Sequence, residues 1–134
     1  MTTFVYDAGA LIAAERRDDH VWRIHRRALA RGLEPVVPAT VLAQVRRRAR
    51  PNLDSFLVGC SIDVLDDLAA RSVGDLLGLA RRDDVVDAHV VLCCLIRAAT
   101  CVTSDWADIA HLSEAARADR QRRFGRRKVS ILPV

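Results

Sequence analysis

Residues 2–14 read TTFVYDAGALIAA, an apolar segment interrupted by a single acid, Asp7. The residues up to Tyr6 are mostly β-branched or aromatic, which favours a short buried strand. The residues from Ala8 onward are small or apolar, and we interpret them as a helix. A strand that runs directly into a helix is the first half of an α/β unit. The segment therefore predicts an α/β fold with Asp7 at the junction of the first strand and the first helix.

The rest of the chain repeats this alternation of strands and helices. Further strands are predicted at Val36–Val37 and over residues 61–65, 100–103 and 129–132. Helices are predicted between them, and the most apolar of these covers residues 85–99. Because strands that alternate with helices usually pair in parallel, we expect a three-layer α/β/α fold. Its sheet is expected to be mostly parallel with four or five strands, in a single domain over residues 1–134.

The composition is that of a single globular domain. The chain has 134 residues, 51% hydrophobic and 28% charged, which is enough for one core and argues against disorder. No apolar run is long enough to span a bilayer, and no basic and apolar leader is found. The four cysteines have neither zinc-site nor disulfide-scaffold spacing. We therefore expect packed thiols in a soluble, cytoplasmic protein without membrane contact.

Basic residues are numerous and consist almost entirely of Arg. Of the 21 basic residues only Lys128 is Lys, against 17 acids. The planar guanidinium binds phosphate through two hydrogen bonds, so clustered Arg can form a nucleic-acid-binding surface. The clusters are Arg16–Arg17, Arg26–Arg27, Arg46–Arg50, Arg81–Arg82 and Arg117–Lys128. Coding bias or ordinary solvated helix faces would give the same pattern, so charge alone leaves nucleic-acid binding open.

Several aspartates are placed where an α/β fold binds its ligands. Asp7 follows the first predicted strand, and Asp105 follows the strand over residues 100–103. Asp84 and Asp87 begin the most apolar helix, and their spacing of three puts them on one helix face. Ligands bind beyond the carboxyl ends of parallel strands, so these acids are expected to converge there. The alternative for Asp84 and Asp105 is a helix N-cap.

Converging carboxylates require a cation. Two of them about 5 Å apart repel by roughly 3 kcal/mol at an effective dielectric constant near 20. Oxygen ligands without a Cys/His cluster favour Mg²⁺ or Mn²⁺ over zinc. The sequence thus predicts metal-assisted attack of water on a phosphodiester. His89 and His111 are interpreted as structural, and Trp106 as a core residue rather than a base-stacking one. No nucleophile elbow or phosphate-binding glycine loop is present.

Four motifs carry a resemblance to a known family. They are VYDAGALI at residues 5–12, VPATVLAQV at 37–45, DVVDAH at 84–89 and VTSDWADI at 102–109. In this order and spacing they resemble a PIN domain, in particular the toxin ribonucleases of VapBC-type toxin–antitoxin pairs, over essentially the whole chain. The resemblance implies a Mg²⁺- or Mn²⁺-dependent endoribonuclease, the toxin of a type II toxin–antitoxin system. It further implies an RNA substrate, a cognate antitoxin partner and a homodimer.

The family's acids fall on particular residues of this chain. The resemblance places catalytic, metal-binding acids at Asp7, Asp87 and Asp105. Gln44 stands where the family usually has Glu, and its amide oxygen can reach a metal or a metal-bound water without adding charge. Gln44 is therefore predicted to be catalytic, and Asp84 is predicted to be a metal ligand that partly replaces the missing charge. Weaker metal binding, compensation by nearby Asp108, or an inactive protein are the other interpretations of Gln44.

Three alternatives to a toxin stay open. One is an RNA-processing nuclease of the same fold without toxin behaviour. Another is a catalytically weak or silent RNA-binding module, which the neutral Gln44 favours. The last is a receiver domain, which also gathers acids at strand ends; Lys128 would then have to supply its phosphate-pairing lysine.

Overall fold

The computed structural model describes residues 2–134. The strands are β1 (Phe4–Tyr6), β2 (Val36–Pro38), β3 (Ser61–Asp63), β4 (Thr100–Thr103) and β5 (Ser130–Pro133). The helices are α1 (Ala8–Glu15), α2 (Asp19–Ala30), α3 (Ala39–Val45), α4 (Pro51–Leu57), α5 (Asp67–Ala80), α6 (Val85–Arg97) and α7 (Trp106–Arg117). The predicted alternation is confirmed. None of these helices is long and apolar enough to cross a membrane.

The five strands form one sheet in the order β3-β2-β1-β4-β5, and all of its pairs are parallel. Val5 in the central strand pairs with Val36 of β2 on one side and with Cys101 of β4 on the other. The prediction of an α/β fold with a mostly parallel sheet is therefore confirmed, and the sheet is entirely parallel. Receiver domains have the order 2-1-3-4-5, so the topology argues against that alternative.

The core lies on both faces of the central strands. Val5 and Val102 have no exposed surface, and helix α6 contributes a continuous buried run from Ala88 to Cys94. A parallel sheet covered on both faces needs such runs, because its strands are buried on each side. All four cysteines are free, three of them buried and Cys60 half-buried, as the sequence predicted for packed thiols.

Aromatic side chains form a cluster where α1, α2 and α4 meet the sheet. The Tyr6 hydroxyl lies 2.9 Å from Nδ1 of His25, and the His25 ring stacks on Phe56 with centroids 3.9 Å apart. The indole N–H of Trp22 donates to the carbonyl of Ala14 at 2.9 Å. Every polar atom of the cluster named here thus has a partner, which removes the cost of burying it.

Candidate metal centre

The acidic residues lie at the topological switch point of the sheet. β1 and β4 are neighbours, but the chain continues from β1 towards β2 at one edge and from β4 towards β5 at the other. The connections diverge there and leave a crevice at the carboxyl ends of the two strands, where open α/β sheets bind ligands. Asp7 directly follows β1, and Asp105 lies two residues beyond β4.

Asp7 is the buried member of the site, with 3% of its surface exposed. Its Oδ1 accepts the N–H of Gly9 at 2.7 Å and so caps α1. Its Oδ2 accepts a hydrogen bond from the hydroxyl group of Thr103. Burial raises the pKa of Asp7 even though these hydrogen bonds favour the charged form. The expected desolvation of this carboxylate is thus confirmed.

Three further aspartates converge beside it. Asp87, Asp105 and Asp108 each offer a carboxylate oxygen, and these oxygens all lie within 4.8 Å of one another. Asp87 belongs to the first turn of α6 and Asp108 to the first turn of α7, so two helix starts meet here. We call these three residues the aspartate triad. They could hold a metal ion.

The triad is not neutralised by the protein. Among residues 2–134, the ion pairs involve neither the triad nor Asp7. Burial, followed by the charges of Asp84 and Asp105, raises the pKa of Asp87 to about 7. Desolvation and then the neighbouring Asp108 also raise the pKa of Asp105. Without a cation, the negatively charged carboxylates therefore repel one another, and a divalent ion would reduce this repulsion.

Asp84 acts as the N-cap of α6. Its Oδ1 accepts the N–H of Asp87 at 3.0 Å, so the capping interpretation is confirmed for this residue. Its carboxylate lies outside the triad, but its charge raises the pKa of Asp87. A role of Asp84 as a metal ligand stays a prediction.

Asp105 occupies the N-cap position of α7 but makes no capping hydrogen bond with its side chain. Its own N–H instead donates to Oγ1 of Thr103 at 2.8 Å, which orients the start of the loop. The carboxylate of Asp105 is therefore not used in capping and lies with those of Asp87 and Asp108 in the triad.

The sequence did not predict Asp108 as a member of the aspartate triad. It was considered only as a compensating charge, whereas its oxygen belongs to the triad. Asp105 and Asp108 are three residues apart at a helix start, which is the spacing that drew attention to Asp84 and Asp87. That spacing was the signal for Asp108.

Gln44 is exposed on α3 and lines a cleft of about 450 Å³ whose lining does not include the aspartate triad, so its catalytic role stays a prediction. Its lining residues include Ala8, which directly follows Asp7, and three Arg residues with one acid, namely Arg16, Arg47, Arg50 and Glu15. Within the described chain, none of these three Arg side chains pairs with a carboxylate. We call this the basic cleft, a cationic surface next to the acidic site.

Both candidate histidines lie outside the aspartate triad and each has a hydrogen-bonding contact within the protein, which supports the structural interpretation. His89 is fully buried, with Nδ1 2.8 Å from the Thr40 hydroxyl and Nε2 3.4 Å from Oδ2 of Asp63. Burial lowers the pKa of His89, so the neutral ring is favoured. Nε2 of His111 donates to the carbonyl of Ala80 at 2.9 Å.

The interpretation of Trp106 as a core residue is wrong. The side chain is 60% exposed. It begins α7 three residues after β4 ends, so it lies beyond the edge of the sheet and no layer covers it. The buried face of α7 is supplied by residues further along the helix, including Ile109 and Leu112.

Fold and site together define an all-parallel α/β protein with an aspartate triad at the switch point of its sheet. The sequence matches no protein-family model, and no curated protein matches it. The function is argued below from the site itself.

Proposed function

We propose that this protein is a metal-dependent endoribonuclease with a PIN-type fold. The observation that carries the proposal is the convergence of Asp87, Asp105 and Asp108 within 4.8 Å, with no basic partner in the described chain. A bound divalent cation would offset the mutual repulsion of these unneutralised carboxylates. The PIN-like motifs noted in the sequence contain Asp87, Asp105 and Asp108.

The metal we propose is Mg²⁺ or Mn²⁺. The triad offers only oxygen, and two of its three members are exposed, which leaves room for water and substrate oxygens. When bound, such an ion polarises a phosphoryl oxygen and lowers the pKa of an attacking water. In this proposal the triad holds the ion, and Asp7 adds a fourth carboxylate fixed by Thr103 and Gly9.

RNA is the proposed substrate, because the acidic site adjoins the basic cleft. Arg16, Arg47 and Arg50 line one cleft together with Ala8, the residue that directly follows Asp7. Unpaired guanidinium groups are good ligands for phosphate oxygens. Binding should then weaken with salt, by about 0.7 in log slope for each phosphate contact to a single strand.

The biological role as a toxin rests on the resemblance alone. A toxin should arrest growth when expressed by itself, and co-expression of its cognate antitoxin should relieve the arrest. A processing nuclease of the same fold would leave growth unaffected in both cases. The proposed homodimer should have twice the chain mass of 14.9 kDa in light scattering. A monomer at micromolar concentrations would contradict the dimer.

Gln44 favours a second candidate, a catalytically silent RNA-binding module. Its side chain is neutral and exposed in the basic cleft, where the family's usual Glu would add a carboxylate. Such a module would bind RNA equally well with and without EDTA and would not cut it. Gln44→Glu would then be the substitution expected to introduce metal-dependent cleavage.

Cleavage of a single-stranded RNA by the purified protein tests the main proposal. We expect cleavage with Mg²⁺ or Mn²⁺, none with EDTA, and none in Asp7→Asn, Asp87→Asn or Asp105→Asn. Asp108→Asn should weaken Mn²⁺ binding in calorimetry as well as cleavage. The matched control is Asp67→Asn, because Asp67 is exposed on α5 and pairs only with Arg71. Full activity in EDTA, or in the Asp87 variant, would reject the metal site.

A further inference from the structure

Trp106 is the only exposed aromatic side chain in residues 2–134. The chain has six aromatic residues, and the structure buries or half-buries the others: Phe4, Tyr6, Trp22, Phe56 and Phe124. Trp106 is 60% exposed. An indole ring left in water loses the free energy that its burial would supply, so a ligand that covers it would be favoured.

Trp106 lies between two members of the aspartate triad in the sequence. Trp106 directly follows Asp105 and precedes Asp108 by two residues, at the start of the same helix. A molecule that contacts the triad through a phosphate oxygen is therefore within a few ångströms of the backbone that carries the indole. A nucleotide has this reach, since its base is joined to its phosphate through one sugar.

A cavity of about 600 Å³ extends from Trp106 along the start of β5. Trp106, Ala110, Val129 and Ile131 give it an apolar side, and Lys128 gives it a positive charge. Arg126, Arg127 and Lys128 are exposed, and none of them forms an ion pair within the described part of the chain. We call this cavity the Trp106 cavity.

The chemistry of the Trp106 cavity matches a nucleotide better than a protein side chain. A base stacks on an aromatic ring through its flat face, and the adjoining phosphate is attracted by ammonium and guanidinium groups. An apolar protein anchor would use the ring but would leave Lys128 in the cavity without a partner. The pairing of one exposed aromatic ring with an unpaired cationic segment favours single-stranded nucleic acid.

We propose that Trp106 stacks on an unpaired RNA base close to the bond that is cut, and that Lys128, which lines the Trp106 cavity beyond the start of β5, contacts a phosphate further along the same strand. The inference rests on the proposed nuclease function and adds to it the residue that contacts an unpaired base of the substrate. In a duplex the base faces are already stacked on their neighbours, so no base face would be free to stack on the indole ring of Trp106. Trp106 is thus a specificity-determining residue, separate from the carboxylates that hold the metal.

Indole fluorescence tests the contact without requiring cleavage. A single-stranded RNA oligomer titrated into the protein in EDTA should quench the emission of the parent strongly. The Trp106→Phe variant, which keeps only the half-buried Trp22, should show little quenching. The same sequence as a duplex should quench the parent less than the single strand does. Quenching that is absent in the parent, or equal in parent and variant, would overturn the proposal.

Substitution tests the energetic contribution of the ring. Trp106→Ala should weaken single-strand binding by about 5- to 150-fold, the range for the loss of one stacked base. Trp106→Phe should retain most of the affinity, and cleavage by Trp106→Ala should show a raised KM with a smaller change in kcat. Ile96→Ala is the matched control, because Ile96 is 67% exposed on α6 and lines neither the basic cleft nor the Trp106 cavity.

The outcomes separate this inference from the nuclease proposal. Quenching by single-stranded RNA with no metal-dependent cleavage would support the stacking site and reject the nuclease. Cleavage by the parent with unchanged binding and KM in Trp106→Ala would support the nuclease and overturn the stacking site. The ring would in that case serve a protein partner.

Discussion

The hydroxyl group of Thr103 donates a hydrogen bond to Oδ2 of Asp7, so the last residue of β4 holds the carboxylate that follows β1. The same Thr103 oxygen accepts the N–H of Asp105 at 2.8 Å. One buried hydroxyl thus orients the deepest acid of the site and the loop that carries a member of the triad. We therefore predict that Thr103 positions the candidate metal centre through its neighbours Asp7 and Asp105.

Replacing Thr103 tests this relationship. Thr103→Val has nearly the same shape but leaves a buried carboxylate oxygen of Asp7 without its donor. We expect the free energy of unfolding to fall by about 1–3 kcal/mol in urea denaturation. Mn²⁺ affinity should fall as well, because Asp7 and Asp105 lose their common support. Thr103→Ser keeps the hydroxyl and should restore metal binding; a Val variant that binds Mn²⁺ like the parent would contradict the positioning role.

The pKa of Asp87 predicts a pH dependence of the metal-free fold. Folding raises this pKa from 3.8 to about 7, so between these values the folded state holds more protons than the unfolded state. The contribution of Asp87 to stability must therefore decrease as pH rises from about 4 to 7. His25 and His89, whose pKa values burial lowers, give the opposite trend, so the parent alone does not isolate the effect.

The difference between Asp87→Asn and the parent isolates the contribution of Asp87. In EDTA at pH 8 we expect the variant to be more stable by about 1–2 kcal/mol, after allowance for solvent screening of this half-buried group. The difference should shrink as pH falls from 7 towards 4 and vanish only well below 3.8, where the parent carboxyl is protonated in both states. Saturating Mn²⁺ should stabilise the parent alone. A variant less stable than the parent in EDTA at pH 8 would show that the acids do not repel one another.

Asp84 supplies charge near the triad in addition to capping α6. Asp84→Asn keeps a good capping group, so stability should change little. Loss of the negative charge should lower the pKa of Asp87 and reduce Mg²⁺ affinity in a calorimetric titration. The matched control is Asp66→Asn, the N-cap of α5, whose side chain accepts the N–H of Ala69 at 2.8 Å. A variant equal to the parent in Mg²⁺ affinity and cleavage rate would remove Asp84 from the metal site.

Gly9 permits the loop after β4 to lie against α1. A Cβ at this position would be 2.0 Å from Oγ and 2.8 Å from Cβ of Ser104, so rotation of the serine does not remove the clash. Gly9→Ala should displace the loop that carries Asp105, lower stability by about 1–3 kcal/mol and weaken Mn²⁺ binding. Adding Ser104→Gly should recover part of both losses.

Gly74→Ala is the control for this substitution. Gly74 lies in α5 with nothing within 4 Å of the added Cβ. Because Ala has the higher helix propensity, this variant should gain about 0.5–1 kcal/mol and keep its metal affinity. Thermal unfolding and a Mn²⁺ titration measure both variants. If Gly9→Ala behaves like Gly74→Ala, the loop after β4 can move away from the added Cβ without loss of stability or metal affinity.

Local patterns were sufficient for the secondary structure and for part of the candidate site. The strand of Phe4–Tyr6 and the helix after it are encoded by neighbouring residues, because β-branching, small side chains and caps act over a few positions. The same reasoning placed Asp7 and Asp105 at strand ends. Parallel pairing then brings those ends to one edge of the sheet, which is why a cluster of acids was predictable there.

What the sequence by itself determined is thus the alternation of elements and the strand-end acids, whereas the tertiary structure decided how they meet. Strand order placed the acids at the β1–β4 switch point, and the approach of α6 and α7 selected Asp108 rather than Asp84 for the triad. Trp106 stayed exposed although its chemistry suits a core. These outcomes depend on contacts between distant segments, whose distances are set by the packing of whole layers and not by local preference.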